Sequence, residues 1–198
     1  MARRRVFLLS PANCGGERAQ LLFSPRPSFE LARRLRTREG APLGEVMSFV
    51  SGLYFRGKLT YGAHFGVPLV ITPHSGLRPP DEQVTLARLR ASARVDIHAD
   101  NPRYRRPLLV SARAVASVLE PDDAVTLLGS IASDKYVTAL LEVFGDRLTF
   151  PVAFVGRGDM SRGGLLLRAV REECELDYVP VAGAVRHGPR PPRLAPVR

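Results

Sequence analysis

The sequence predicts an α/β domain, a largely parallel sheet flanked by helices over residues 1–182, followed by a basic Pro/Arg-rich tail over 183–198. Three observations carry this. Short apolar runs are each closed by Gly, Pro or Ser. Segments with helical apolar spacing lie between those runs, the pattern of helices crossing over a parallel sheet. Composition changes abruptly after residue 182, where four Arg and four Pro leave little to bury.

In chain order, Val6-Phe7-Leu8-Leu9 reads as a buried strand that stops at Ser10-Pro11. Ser28 is placed to cap a helix through Phe29, Leu31, Ala32 and Leu35. Phe55, Leu59 and Ala63 recur at intervals of four and put a helix over Leu53 to Phe65. Leu69 to Thr72 is a second buried strand ending at Pro73-His74-Ser75-Gly76. The stretch from Gln83 to Arg113 is rich in arginine and carries a helical stripe from Leu108 to Leu119. Val125 to Leu128 is a third strand, closed by Gly129-Ser130, and Val137, Leu140, Leu141 and Phe144 follow at helical spacing before Gly145. Phe150 to Val155 is extended and leads into a glycine-rich loop from Gly156 to Gly164. A helix to Cys174 and a last strand from Leu176 to Val181 complete the domain, and the tail is expected to be extended and mostly disordered.

Charge and composition exclude several classes. With 24% charged and 45% hydrophobic residues the chain is neither a disordered polyelectrolyte nor a membrane bundle, and no apolar run reaches the ~18 residues of a spanning helix. No membrane partner is expected. Cys14 and Cys174 are too few for a disulfide framework or a four-cysteine zinc site, and the histidines have no metal-ligand spacing, so neither metal nor cofactor is expected. The apolar stretch after Arg3-Arg4-Arg5 ends too soon for an export leader, which points to the cytoplasm. A net charge of +10 favours an anionic partner, nucleic acid first. Lys58 and Lys135 are the two lysines, so 27 of the 29 basic residues are arginine, part of which reflects base composition of the gene.

Four polar segments, Ser10–Cys14, His74–Gly76, Gly129–Lys135 and Gly156–Arg162, each follow a strand-like run. In an open parallel sheet such segments line one crevice at the carboxyl edge, where helix N-termini also attract anions. Loops after strands are polar for simpler reasons too. If the segments converge, Ser10, Asn13, Ser130, Lys135, Tyr136, Arg157 and Arg162 are the candidates for phosphate and nucleic acid. Cys14 is either a nucleophile with a lowered pKa or a small, half-buried filler. His74 and Asp134 are candidates to move protons, with an exposed turn and a helix start as their plainer roles.

These segments resemble the YaaA-like superfamily, named for a bacterial peroxide-stress protein. Leu8-Leu9-Ser10-Pro11-Ala12 is similar to its opening strand and turn, and Ser75 to Asp81 to its Ser-Gly-Leu…Leu-Arg-Pro-Leu-Asp segment. Ala132-Ser133-Asp134-Lys135-Tyr136 resembles its Ala-Ser-Asp-Glu-Tyr, and Arg157 to Arg162 its Arg-Gly-Leu-Met-Ser-Arg. Leu53 to Leu77 is similar to small phage and bacterial relatives. Asn13 and Cys14 stand where the longer members have Lys and Thr.

The resemblance implies two activities: protection of DNA under peroxide stress, and chemistry on 7-deazaguanine bases alongside other DNA-modification proteins. The leading expectation is an enzyme acting on the nitrile of a 7-cyano-7-deazaguanine in nucleic acid, DNA in preference to RNA. Cys14 would add to the nitrile, Asp134 or His74 would shuttle protons, and Arg157, Arg162 and Lys135 would hold phosphate. The alternatives are a non-catalytic DNA-binding stress protein and an enzyme for a small phosphate compound in the same crevice.

Overall fold

A computed structural model describes residues 5–192 and 194. Residues 1–4 of the expected domain and 193 and 195–198 of the expected tail lie outside the described residues. The strands are β1 (Arg5–Leu9), β2 (Ala41–Pro42), β3 (Val67–Thr72), β4 (Gly76–Arg78), β5 (Gln83–Val84), β6 (Ala124–Leu128), β7 (Leu148–Pro151) and β8 (Tyr178–Pro180). The helices are α1 (Glu17–Phe23), α2 (Glu30–Arg34), α3 (Leu43–Ser51), α4 (Leu53–Phe65), α5 (Leu86–Ala93), α6 (Pro102–Ala116), α7 (Asp134–Phe144) and α8 (Asp159–Arg171). No helix among the described residues is long and apolar enough to cross a membrane.

Six strands form one sheet in the order β4-β3-β1-β6-β7-β8. The four inner strands are parallel, and β4 and β8 run antiparallel at the edges. β2 and β5 make a separate antiparallel pair. The expected α/β architecture with a largely parallel sheet is therefore present. Alternation along β1 divides the core. Phe7 and Leu9 pack with α1, α3, α4 and α8 on one face, and Val6 and Leu8 with α6 and α7 on the other.

Several boundaries differ from the sequence reading. The helix expected after Ser28 begins at Glu30 with Phe29 at its cap, and the last strand is confined to Tyr178–Pro180. The loop expected from Gly156 to Gly164 is helical from Asp159. Its glycines serve packing. A Cβ on Gly57 of α4 would lie 2.7 Å from the Gly163 carbonyl oxygen, and one on Gly163 2.8 Å from that of Leu53. With no side chains between them, α4 and α8 cross with their backbones in contact, which sets Tyr54 and Lys58 beside the first turn of α8.

The tail carries no helix or strand over 183–192, yet it is anchored. Arg157 Nη1 donates to the Pro192 carbonyl oxygen at 3.3 Å, and Arg186 pairs with Asp134 at 2.5 Å. The described part of the tail is thus held against the starts of α7 and α8.

Candidate functional site

β1 is central in the sheet. The chain leaves it towards β3 on one flank and returns as β6 on the other, so the loops after β1 and β6 diverge and open a crevice at the carboxyl edge. A cavity of about 850 Å³ occupies it. Ser10 to Gly15 line it after β1, and Ser130, Ser133, Lys135 and Tyr136 after β6. Asp159 of α8, Tyr54 of α4, the end of α3 at Val50 and Ser51, Pro73, and residues 92–97 complete the wall. Among the polar segments read from sequence, the one after β1 lines the cavity throughout and the one after β6 lines it with Ser130, Ser133 and Lys135. The one after β7 contributes Asp159.

The convergence is less basic than the sequence implied. The wall carries two cations, Arg94 and Lys135, against the carboxylates of Asp96 and Asp159. Arg157 and Arg162 are not free for phosphate. Arg157 donates to the Ala153 carbonyl oxygen at 3.0 Å and to Ser161 Oγ at 3.2 Å. Arg162 is buried. Its Nε and Nη2 donate to the Phe154 carbonyl oxygen at 3.2 and 3.0 Å, and its Nη1 reaches Asp159 Oδ1 at 3.3 Å. These contacts fix the turn before α8 and hold Asp159 at the cavity.

The proposed proton carriers lie elsewhere. Thr72 ends β3 in a tight reversal into β4, which carries His74 into a neighbouring narrow cleft beside Arg78 and Arg88. There His74 Nδ1 lies 3.1 Å from Ser92 Oγ. Burial, then Arg88, Arg103 and Arg78, lower the His74 pKa, so it is neutral at pH 7. Asp134 is exposed, paired with Arg186 and absent from the cavity wall. We expect Asp134→Asn to change stability by less than about 1 kcal/mol, the value of an exposed ion pair, as read by thermal unfolding.

Cys14 does line the cavity, but its environment is the reverse of an activating one. The side chain is buried, Sγ has the Ala12 carbonyl oxygen at 3.6 Å, and burial pushes the thiol pKa up to about 12. It is a thiol at neutral pH. Asn13 lines the same wall, and its Oδ1 accepts the Gly15 N–H at 3.1 Å. Ser130 Oγ likewise accepts the Ala132 N–H at 3.3 Å.

Two groups that sequence reading passed over stand closest to chemistry. Lys58, on the core side of α4, is fully buried one layer behind the cavity wall. Its Nζ donates to the Ser10 carbonyl oxygen at 2.5 Å and to Ser10 Oγ at 2.9 Å, and lies 4.2 Å from the centre of the Tyr54 ring. No carboxylate pairs with it among the described residues. Burial lowers its pKa to about 7, with Asp159 opposing and Arg162 assisting. Tyr54 is the second group. Its hydroxyl is buried without a hydrogen-bond partner, and burial raises its pKa. Tyr136 is raised to about 12 by burial and by Asp159. The signal for Lys58 was its rarity, one of two lysines among 29 basic residues, on a helix whose neighbours Phe55 and Tyr54 are aromatic.

Among the described residues no group of three or more His, Cys, Asp or Glu side chains is placed to hold a metal ion. No protein-family model, no curated protein and no solved structure matches the chain.

Proposed function

We propose that the protein is an enzyme that modifies a 7-deazaguanine base in nucleic acid, DNA in preference to RNA, by converting its nitrile in the strand-edge cavity. The observation that carries this reading is the cavity itself. It lies where ligands bind in open α/β sheets, and about 850 Å³ accommodates a nucleotide-sized group. Asp96 and Asp159 accept N–H groups, as the edge of a guanine-like base requires, while Arg94 and Lys135 offer charge to a backbone phosphate. The resemblance of Leu8–Ala12 and Ala132–Tyr136 to the YaaA-like superfamily supplies the 7-deazaguanine substrate.

In this reading water adds across the C≡N bond, giving the amide; an amine in the place of water gives an amidine. Cys14 shapes the cavity as a neutral thiol. A base stacked in a duplex must be extruded first, at a cost of a few kcal/mol. The test is mass spectrometry of nucleosides from DNA and RNA of cells with and without the gene. Accumulation of the nitrile base in its absence is the expected result, and identical nucleoside profiles refute the reading. With purified protein and a nitrile-bearing oligonucleotide, Arg94→Ala and Lys135→Ala should each weaken binding and lower the slope of log K against log salt by about 1.

The second reading is a non-catalytic DNA-binding protein active under peroxide stress. The exposed Arg103 and Arg106 of α6, with the net charge of +10, favour it. It predicts a peroxide-sensitive deletion strain with unchanged nucleosides.

A further inference from the structure

We propose that Ser10 and Lys58 are a nucleophile and general-base pair, with Ser10 Oγ attacking an electron-poor acyl or nitrile carbon in the cavity and Lys58 Nζ taking its proton. For a nitrile substrate the proposal rests on the base-modifying reading. The pair itself stands on geometry that is independent of nucleic acid.

Ser10 is the first residue beyond β1 and lines the cavity, and Lys58 is fully buried behind it. The 2.9 Å separation of Nζ and Oγ is hydrogen-bond contact between a candidate nucleophile and a candidate base. The Ser10 carbonyl oxygen, at 2.5 Å from the same Nζ, fixes the amine to the backbone of the residue it would activate. Ser10 Oγ donates to the Leu128 carbonyl oxygen at 3.3 Å, a longer contact that gives way when the hydroxyl proton turns to Nζ at 2.9 Å. Gly129 keeps the hydroxyl uncrowded, since a Cβ there would lie 2.9 Å from Ser10 Cβ and 3.2 Å from Oγ.

A base must be neutral to accept a proton. Ionisable groups on α8 (Asp159 and Arg162) and on α4 itself (Tyr54) bear on Lys58. The turn after β1 offers the uncharged Ser10, Arg5 of β1 is paired with Glu175 at 3.3 Å, β3 has no ionisable side chain, and Glu45 of α3 is turned to Arg34 at 3.0 Å. Burial dominates this set and holds Lys58 near neutrality, where it exchanges a proton readily at physiological pH.

The steps balance. The Oγ–C bond forms as the hydroxyl proton passes to Nζ, and the Lys58 ammonium returns it to the nitrile nitrogen, leaving an imidate ester on Ser10. Water attacks the same carbon and gives a proton to Lys58. The C–Oγ bond then breaks, Oγ recovers the proton, and the amide departs. With an ester, the leaving alkoxide takes the first proton and the acyl group stays on Ser10 until water removes it.

The test uses 4-nitrophenyl acetate on the whole chain, followed by peptide mapping. The expected product is acetyl on Ser10, formed at a rate that rises with pH to a plateau with a midpoint near 7. That rate should fall ~10²-fold or more in Ser10→Ala and in Lys58→Met. Acetylation elsewhere with Ser10 unmodified overturns the pair, as does a folded Lys58→Met protein that reacts at the wild-type rate. Should Lys58→Met not fold, a wild-type profile without a midpoint near 7 overturns it. Conversion of a nitrile-bearing oligonucleotide that survives in Ser10→Ala removes the pair and keeps the base-modifying function. Acetylation of Ser10 with no conversion of that oligonucleotide keeps the pair and removes that substrate.

Discussion

Lys58→Met should abolish a rise in stability of about 2 kcal/mol that the wild-type protein shows between pH 7 and pH 9. In the unfolded chain Lys58 binds its proton up to its ordinary pKa of 10.5, whereas burial in the folded protein lowers that pKa to about 7. Between these values the unfolded state holds more protons than the folded one. Raising the pH therefore favours folding, by up to ~1.4 kcal/mol per unit. Below pH 7 both states are protonated and the full cost of the buried ammonium is present. Cys14 acts in the opposite direction, because its raised pKa removes stability as pH climbs above the ordinary thiol value of 9.0, so the window is best read below that point. Methionine keeps the length and the contact with the Tyr54 and Phe55 rings while removing the charge. Denaturant unfolding of both proteins at several pH values gives the difference, in which other titrating groups cancel. Parallel stability curves would show that Lys58 is not a depressed amine.

Gly163→Ala should cost about 1–3 kcal/mol, and Gly164→Ala, one residue along, should gain up to ~1 kcal/mol. The contrast comes from what each new methyl meets. At Gly163 it lies 2.8 Å from the Leu53 carbonyl oxygen and 2.9 Å from Tyr54 Cα, both backbone atoms of α4, so relief requires the two helices to part. At Gly164 the nearest atom is a Leu194 side-chain carbon at 3.5 Å, an ordinary contact, and alanine gains the helix propensity that glycine lacks. Thermal unfolding of the two variants should move in opposite directions. Parting α4 from α8 also moves Tyr54 and Lys58 away from Asp159 and Arg162, so Gly163→Ala should shift the pH window of the Lys58 effect as well as the stability. Equal effects at the two glycines would deny the close crossing a part in the site.

Local pattern was enough for the elements that carry a clean signal. Phe55, Leu59 and Ala63 marked α4 from Leu53 to Phe65, and the runs at Val6–Leu9, Leu69–Thr72 and Val125–Leu128 marked three inner strands. β4 was not legible. Three residues, Gly76–Arg78, pair because Thr72 Oγ1 holds the reversal, donating to the Gly76 carbonyl oxygen at 2.8 Å. The same reversal removed His74 from the cavity. Arg157 and Arg162 resembled phosphate ligands in a glycine-rich loop. The carbonyl oxygens of Ala153 and Phe154 engage them instead, and the helix starts inside the supposed loop.

The sequence by itself offered the strand ends at Ser10–Cys14 and Gly129–Lys135 as neighbours on one crevice, because parallel strands joined by crossovers present the same edge. It also determined the charge and the scarcity of lysine. Only the tertiary structure decided which side chains carry chemistry. A pKa is set by what surrounds a group, and that arises when elements distant in the chain pack together. Ser10 and Lys58 are 48 residues apart and meet at 2.9 Å. Cys14 was chosen for its chemistry as a residue type, and the fold buried it as a thiol. Lys58 stood out in the sequence only as one of two lysines, and the fold buried it beneath the cavity with no ion-pair partner among the described residues.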